Sequence, residues 1–419
     1  MAHHPGTASV AMTFMKRFAV IFLIFLFFPG WQSSQAALDS PFARDSGLSF
    51  SRQPEISLLH ALESLSEQQL DQAQGLIEQL VRETPDFRLA HLVYADILAA
   101  RAGKLEDLGA GFVPEAKLVG LEDEIRRRWH HHVLQPDRER TPSNLVRIGE
   151  NQPYVLVVDL DLSRMYVFAN NAHPLRLVED FYVSGGKRGP VKYREGDQRT
   201  PVGVYFIQGH IPGRNLPHYF GWGAFPLDYP NAWDRKQGRT GSGIWLHGNP
   251  TGVFSRPPQA SDGCVTMHNE DLENIAPLLK EGRIPVVLAR SVEWVDPEDL
   301  QRFNAEMSLR LEQWRRDWES RDTQAYLRHY SRDFRSGSGG DQDYAAWVKH
   351  KQRVIAGKKE IRVRLHNLSI LRYPEEQGLV LAVFDQDYWS DNFQSKSLKH
   401  QYWRQEKDGQ WRIVYEGTF

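Results

Sequence analysis

Apolar positions along this chain change their period twice, and the changes divide it into segments. Over residues 52–103 the repeat is helical: Leu58, Leu62 and Leu65, then Leu70, Ala73, Leu76, Ile77 and Leu80, share a stripe, the spacing that buries one helix face. Pro85 interrupts, and Leu89, Val93 and Ile97 resume before Gly103, so a helical hairpin is predicted. Residues 104–150 are charged and broken by Pro114, Pro136 and Pro142, and read as a linker. From Tyr154 the runs "YVLVVDL", "RMYVF", "DFYVS" and "VGVYFI" are short, β-branched or aromatic, and separated by turn-forming stretches. They predict a β-rich domain over 152–291. From Pro297, Phe303, Met307, Leu311, Trp314 and Trp318 fall at spacings of four, four, three and four, the stripe of a long helix. "SGSGGD" ends it, a shorter helix follows near Tyr344, and "IRVRL", "LVLAVF" and "WRIVY" read as strands. Helices followed by an antiparallel sheet predict an α+β cone over 297–419. The fold class is therefore multidomain α+β.

The N-terminus adds a destination. Lys16 and Arg17 precede the apolar run "FAVIFLIFLFF", followed by a Pro29-Gly30 break and "SSQAAL". This is the secretory signal pattern, predicting a periplasmic protein with residues 1–36 removed after Ala36. A retained membrane anchor is the alternative, although the run falls short of the roughly 20 residues of a span. A formal net charge of −2, with no basic block, offers nothing to nucleic acid. "RRRWHHH" at 126–132 is no metal site, because adjacent histidines on a helix point in different directions.

The chain holds one cysteine, Cys264, in "QASDGCVTMHNEDL". It cannot form an internal disulfide, so it is a buried small residue, an incidental thiol or a nucleophile. Upstream, His247 ends the strand-like "IWL" and precedes Gly248. An imidazole at the mouth of the same sheet can activate a thiol, and Gly263 allows the sharp turn that presents backbone N–H groups to an oxyanion. His210, His218 and His268 are alternative bases.

The pattern H-G…S-x-G-C, with "REGDQRTPVGVY", "AFPLDYPNAWD" and "GSGIWLHGNP" ahead of it, resembles the L,D-transpeptidase (YkuD) catalytic family over about 140 residues. The resemblance implies that Cys264 is the nucleophile and His247 its base. It further implies that the Gly248 carbonyl orients the imidazole, that the N–H groups of Gly263 and Cys264 face the oxyanion, and that Ser261 is the family's small hydroxyl. Two positions depart: Asp262 stands where many members have His, and Thr266 where they have Arg or Asn. A branch of cell-shape L,D-carboxypeptidases tolerates the first change and carries a C-terminal nuclear-transport-factor-2-like domain. The element order of 297–419 resembles that fold, and the N-terminal hairpin looks like a single tetratricopeptide-style unit.

What the resemblance implies chemically is attack on peptidoglycan stem peptides, at the bond between the diamino acid at position three and D-alanine at position four. A thioester would pass to a neighbouring stem, to a lipoprotein lysine or to water, the last being L,D-carboxypeptidation. No metal or organic cofactor is implied. Lys187, Arg188, Arg199 and Arg235 lie in loop-like stretches where a carboxylate-rich substrate would want cations, and Trp222 and Trp245 are candidate cleft walls. A reading of another class is a non-catalytic scaffold that recruits other cell-wall proteins through its hairpin or C-terminal pocket. In the C-terminal unit, Tyr326, Trp347, Tyr388 and Trp389 are read as core before pocket lining.

Overall fold

The computed structural model describes residues 53–104, 109, 114–172, 174–280, 283–337 and 342–419; the expected signal segment 1–36 lies outside them. The N-terminal module is larger than a hairpin. Helices α1 (Gln53–Ser66), α2 (Leu70–Glu83) and α3 (Arg88–Arg101) are joined by α4 (Glu115–Val133). The leucine stripe read as one segment is broken where Gln68 takes a φ of 63° between α1 and α2. Leu58, Leu62, Ile77, Leu80, Leu89, Val93, Ile125 and Trp129 form one core.

The stretch 104–150 is therefore not a linker. Its apolar residues Leu118, Leu121, Ile125 and Trp129 do keep helical spacing. Charged residues obscured them, and two of these, Glu124 and Arg128, are buried as a pair. The three adjacent histidines diverge as helix geometry requires: His131 meets Asp180, His132 meets Glu63, and His130 is exposed. Beyond α4, β1 (Thr141–Pro142) and β2 (Leu145–Arg147) reach forward in the chain. β1 pairs with residues 294–295, and β2 forms the edge of the C-terminal sheet.

Strands β3 (Tyr154–Asp159), β4 (Arg164–Ala169), β5 (Arg176–Tyr182), β6 (Gly185–Gly186) and β7 (Gly203–Phe206) open the middle domain. They are followed by β8 (Ile211–Pro212), β9 (Gly223–Pro226), the short helix α5 (Ala232–Lys236), β10 (Trp245–Gly248), β11 (Gln259–Ser261) and β12 (Val265–Met267). Helix α6 (Asn269–Leu279), β13 (Pro285–Ala289) and β14 (Trp294–Val295) complete it. A five-stranded sheet runs β5-β4-β3-β13-β7, and a smaller sheet runs β12-β10-β9-β8. Leu156, Val158, Tyr205, Phe225, Leu246, Val265, Met267 and Ile275 seal the space between the two sheets and α6.

The C-terminal domain is built from α7 (Pro297–Glu319), α8 (Thr323–Leu327), β15 (Tyr330–Ser336), β16 (Gln342–Asp343), α9 (Tyr344–Ala356), β17 (Ile361–Arg372), β18 (Leu379–Ser390), β19 (Phe393–Gln405) and β20 (Trp411–Thr418). Trp314, Trp318, Tyr326, Trp347 and Tyr388 fill the concave side of its sheet, whereas Trp389 is half-buried under Arg364. The other side does not face water. Leu371, Tyr373, Leu381, Val383 and Tyr402 pack with Val155, Val157, Phe168, Val204 and Trp233 of the middle domain. The two domains thus share a core.

Candidate functional site

β10 and β12 run parallel in register, with Leu246 opposite Val265, His247 opposite Thr266 and Gly248 opposite Met267. Side chains alternate across a strand. Leu246, Val265 and Met267 enter the core, so His247 and Thr266 share the other face. Cys264 immediately precedes β12. Its thiol donates to the Gly243 carbonyl at 3.4 Å, and the Trp245 N–H approaches the sulfur. Gly243 lies two residues before β10 and Trp245 opens it, so the thiol rests at the entrance to the strand that carries His247.

The turn before Cys264 is held by one hydroxyl. Ser261 Oγ donates to the Cys264 carbonyl at 2.6 Å and accepts the Gly263 N–H at 3.1 Å. Gly263 has a φ of +128°, and a Cβ there would lie 2.9 Å from the Arg199 carbonyl oxygen, so glycine is required on both counts. One expectation changes here. The Gly263 N–H is spent on Ser261 inside the turn and does not face outward, while the Cys264 N–H takes no part in that bond.

His247 is buried, 4% exposed, with Nδ1 2.7 Å from the Gly248 carbonyl. A carbonyl only accepts, so Nδ1 carries the hydrogen and Nε2 is left as an acceptor. Burial pushes the imidazole down to about 4, with the Gly248 bond opposing and the Arg256 charge adding a smaller downward push. Burial likewise pushes the Cys264 thiol up to about 11. Both groups are therefore neutral at neutral pH. The Phe220 ring meets His247 edge-on at 4.8 Å and lies tilted against Trp245 at 4.8 Å.

Asp262, beside the turn, accepts from Lys187 Nζ at 2.8 Å and Gln198 Nε2 at 2.9 Å. The Lys187 hydrogen bond holds its carboxyl below the usual range. Lys187 is thus an ion-pair partner of the turn, and Arg188 is an exposed neighbour. Arg199 donates to the Pro190 carbonyl at 3.0 Å while its own carbonyl backs Gly263. Trp222 is half-buried, its backbone N–H donating to Asn269 Oδ1 at 2.8 Å and its ring 5.0 Å from His210. Arg235 is not part of this group. It belongs to α5 and lines a separate cavity of about 260 Å³ with Arg283, His400, Tyr402 and Phe419, between the middle and C-terminal domains. Among the other histidines, His268 packs its ring against Phe254.

Sequence reasoning missed Phe220, Phe254 and Arg256. The segment between His247 and Cys264 registered only as a spacing. Its one signal was an aromatic and a cation standing among turn residues in "TGVFSRPPQ". Arg256 is half-buried and donates to the Ala260 carbonyl. Among the described residues, no group of three or more His, Cys, Asp or Glu is arranged to hold a metal ion.

Comparison with known proteins agrees with this architecture. Residues 153–288 match the L,D-transpeptidase catalytic domain (YkuD), and residues 306–417 match the Cds6 C-terminal NTF2-like domain. No curated protein matches the sequence. Among solved structures, Bd1075 of Bdellovibrio bacteriovorus is similar over 67% of this chain and 98% of its own, at 28% identity and a TM-score of 0.58. The helical cell shape determining protein Pgp2 of Campylobacter jejuni is similar in fold over 65% and 95%, at 23% identity and a TM-score of 0.55.

Proposed function

We propose that this chain, which carries an L,D-transpeptidase (YkuD) catalytic domain followed by an NTF2-like domain, trims peptidoglycan stem tetrapeptides to tripeptides through a cysteine thioester. The observation that carries the reading is the joint geometry of Cys264 and His247. The thiol leans on the start of β10, and the imidazole two residues further along that strand is held in the tautomer that accepts a proton at Nε2.

In the first half-reaction Cys264 Sγ attacks the carbonyl carbon of the position-three residue, and its proton passes to His247 Nε2. The Cys264 N–H is the turn's donor for the oxyanion, since Ser261 holds the Gly263 N–H. Collapse breaks the C–N bond, His247 returns the proton to the departing amine, and D-alanine leaves a thioester behind. In the second, His247 takes a proton from water as water attacks the thioester, and the thiol leaves with that proton. The products are a tripeptide carboxylate and D-alanine. With the resting pair neutral, proton transfer accompanies attack; no stored thiolate is required.

Water as the acceptor is what the resemblance to the cell-shape L,D-carboxypeptidase branch implies. The same pairing of catalytic and NTF2-like folds occurs in a protein described as determining helical cell shape, which also supports a role in cell shape here. Export through residues 1–36 belongs with this reading, since stem peptides lie outside the cytoplasm. The test is mass spectrometry of disaccharide tetrapeptide incubated with the protein and with Cys264→Ala. Tripeptide and free D-alanine, absent with Cys264→Ala, are expected. A 3–3 linked dimer would make the acceptor an amine, and unchanged substrate would end the acyl-transfer reading.

A further inference from the structure

The loop from Pro250 to Pro258 leaves the catalytic face, enters the N-terminal module and returns. Phe254, 7% exposed, belongs to the helical core, with its ring 4.3 Å from Phe87 and 4.3 Å from His268. Its carbonyl accepts from Asn249 Nδ2 at 2.9 Å. Ser255 Oγ then donates to Glu124 Oε1 on α4 at 2.7 Å. The Arg256 carbonyl accepts from Tyr182 Oη at 3.0 Å and Ser184 Oγ at 2.9 Å. Three successive residues are thereby held, two of them by the N-terminal helices.

The Arg256 side chain turns back toward the turn that bears Cys264, donating to the carbonyl of Ala260, next to Ser261. It also lines a small cavity of about 30 Å³ with Thr266, the cross-strand neighbour of His247, and with the acidic residues Glu55, Asp180 and Asp271. The Oγ1 of Thr266 and the Oδ1 of Asn249, both lining that cavity, are buried without a hydrogen-bond partner. No carboxylate among the described residues forms an ion pair with Arg256: Asp262 stabilises its charge from a distance but is itself held by Lys187 and Gln198. Burial lowers the Arg256 pKa, and its charge is felt by both the thiol and the imidazole. A partly desolvated cation without its anion is costly, and a guanidinium that spends one N–H on a carbonyl keeps the rest of its donor fork free.

We propose that Arg256 is the carboxylate anchor of this site, gripping the free α-carboxylate of the D-alanine to be released, and that the N-terminal helices position it through Phe254 and Ser255. The inference rests on the stem-peptide reading above and deepens it. That carboxylate lies one residue beyond the scissile carbonyl, about 4 Å away, where a guanidinium beside the nucleophile reaches it with paired N–H···O bonds. A stem whose D-alanine carboxyl is already an amide, as in a crosslink, lacks the anion and is rejected. The N-terminal module is then a part of the site and not a docking array.

Binding tests this without relying on turnover. The affinity of Cys264→Ala for disaccharide tetrapeptide is measured by calorimetry, with the terminal D-alanine as free acid and as carboxamide. The acid is expected to bind roughly 10- to 100-fold tighter, the worth of a charge-assisted hydrogen bond. Adding Arg256→Gln should abolish that preference by weakening the acid alone, Arg256→Lys should keep part of it, and Phe254→Ala should reduce it. Arg256→Lys also guards against loss of fold, checked by melting each variant. Equal binding of acid and amide by Cys264→Ala, or an unchanged preference with Arg256→Gln, would overturn the anchor. An unchanged preference with Phe254→Ala would overturn the role of the helices. Absence of turnover by the unmutated protein would instead count against the hydrolytic reading, leaving this comparison intact.

Discussion

At the residue scale the site is defined by what burial does to two ionisable groups. Burial opposes charge on either, which keeps Cys264 a thiol and His247 a neutral imidazole. An exposed histidine would lose its basic form near pH 6.5. Because the His247 value is pushed down to about 4, the form that accepts the proton persists to lower pH. In the proposed mechanism protonation removes the base, so activity falls only as pH drops through about 4, and the thiol near 11 imposes no alkaline limb below pH 9. Release of D-alanine followed from pH 4 to 9 should therefore give kcat/KM rising to a plateau by about pH 5. A limb centred near pH 6.5 would mean that substrate or solvent relieves the burial.

At the element scale, the strand pair β10–β12 and the turn feeding it act as a unit. Parallel register sets His247 beside Thr266, and the Ser261 hydroxyl closes the turn that delivers Cys264. Gly263 is the point where this geometry tolerates least. Its φ of +128° and the 2.9 Å approach of the Arg199 carbonyl to a Cβ leave a side chain nowhere to go. Gly263→Ala is expected to cost about 1–3 kcal/mol of stability and to shift the thiol from its seat on β10. Turnover should fall at least about 100-fold, comparable to losing an oxyanion donor, in protein that still melts cooperatively. Wild-type turnover from Gly263→Ala would show that the turn does not set the nucleophile.

At the scale of the whole molecule, two different cements join three modules. The middle and C-terminal domains share an apolar core running from Val155 and Phe168 to Leu381 and Tyr402, so calorimetry should register them melting in one transition. The N-terminal helices are fastened by buried charge. Glu55 on α1 meets Arg128 at 2.7 Å and Arg164 at 2.8 Å, and Arg164 meets Asp180 at 2.9 Å. Burial would raise the Glu55 carboxyl, but Arg164 and Arg128 outweigh it and hold it at about 2. Glu55→Gln removes one of two carboxylates from each buried guanidinium, leaving Arg128 with Glu124 and Arg164 with Asp180, at a cost of roughly 1–3 kcal/mol. Limited proteolysis should then release the N-terminal module before the rest unfolds. Resistance equal to wild type would mean that the apolar contacts of Phe254 suffice.

Periodicity alone determined the order of helical and β-rich segments, the long helix of the C-terminal unit and its burial of Trp314 and Trp318. It could do so because neighbours in sequence carry that information. Cys264, His247 and the glycine before the thiol stood out as candidates for a similar reason, since their residue types and the motif around them are local. Tertiary structure alone decided the rest. It made 115–133 a helix whose charges are buried in pairs, and it sent β2 to the edge of a sheet more than two hundred residues away in sequence. It drew the Gly263 N–H into a turn, took Arg235 to another cavity and brought Arg256 to the turn that bears Cys264, after a phenylalanine seated in a different module. Each of these depends on which distant group satisfies a buried charge or fills an apolar gap, and no periodicity along a chain encodes that choice.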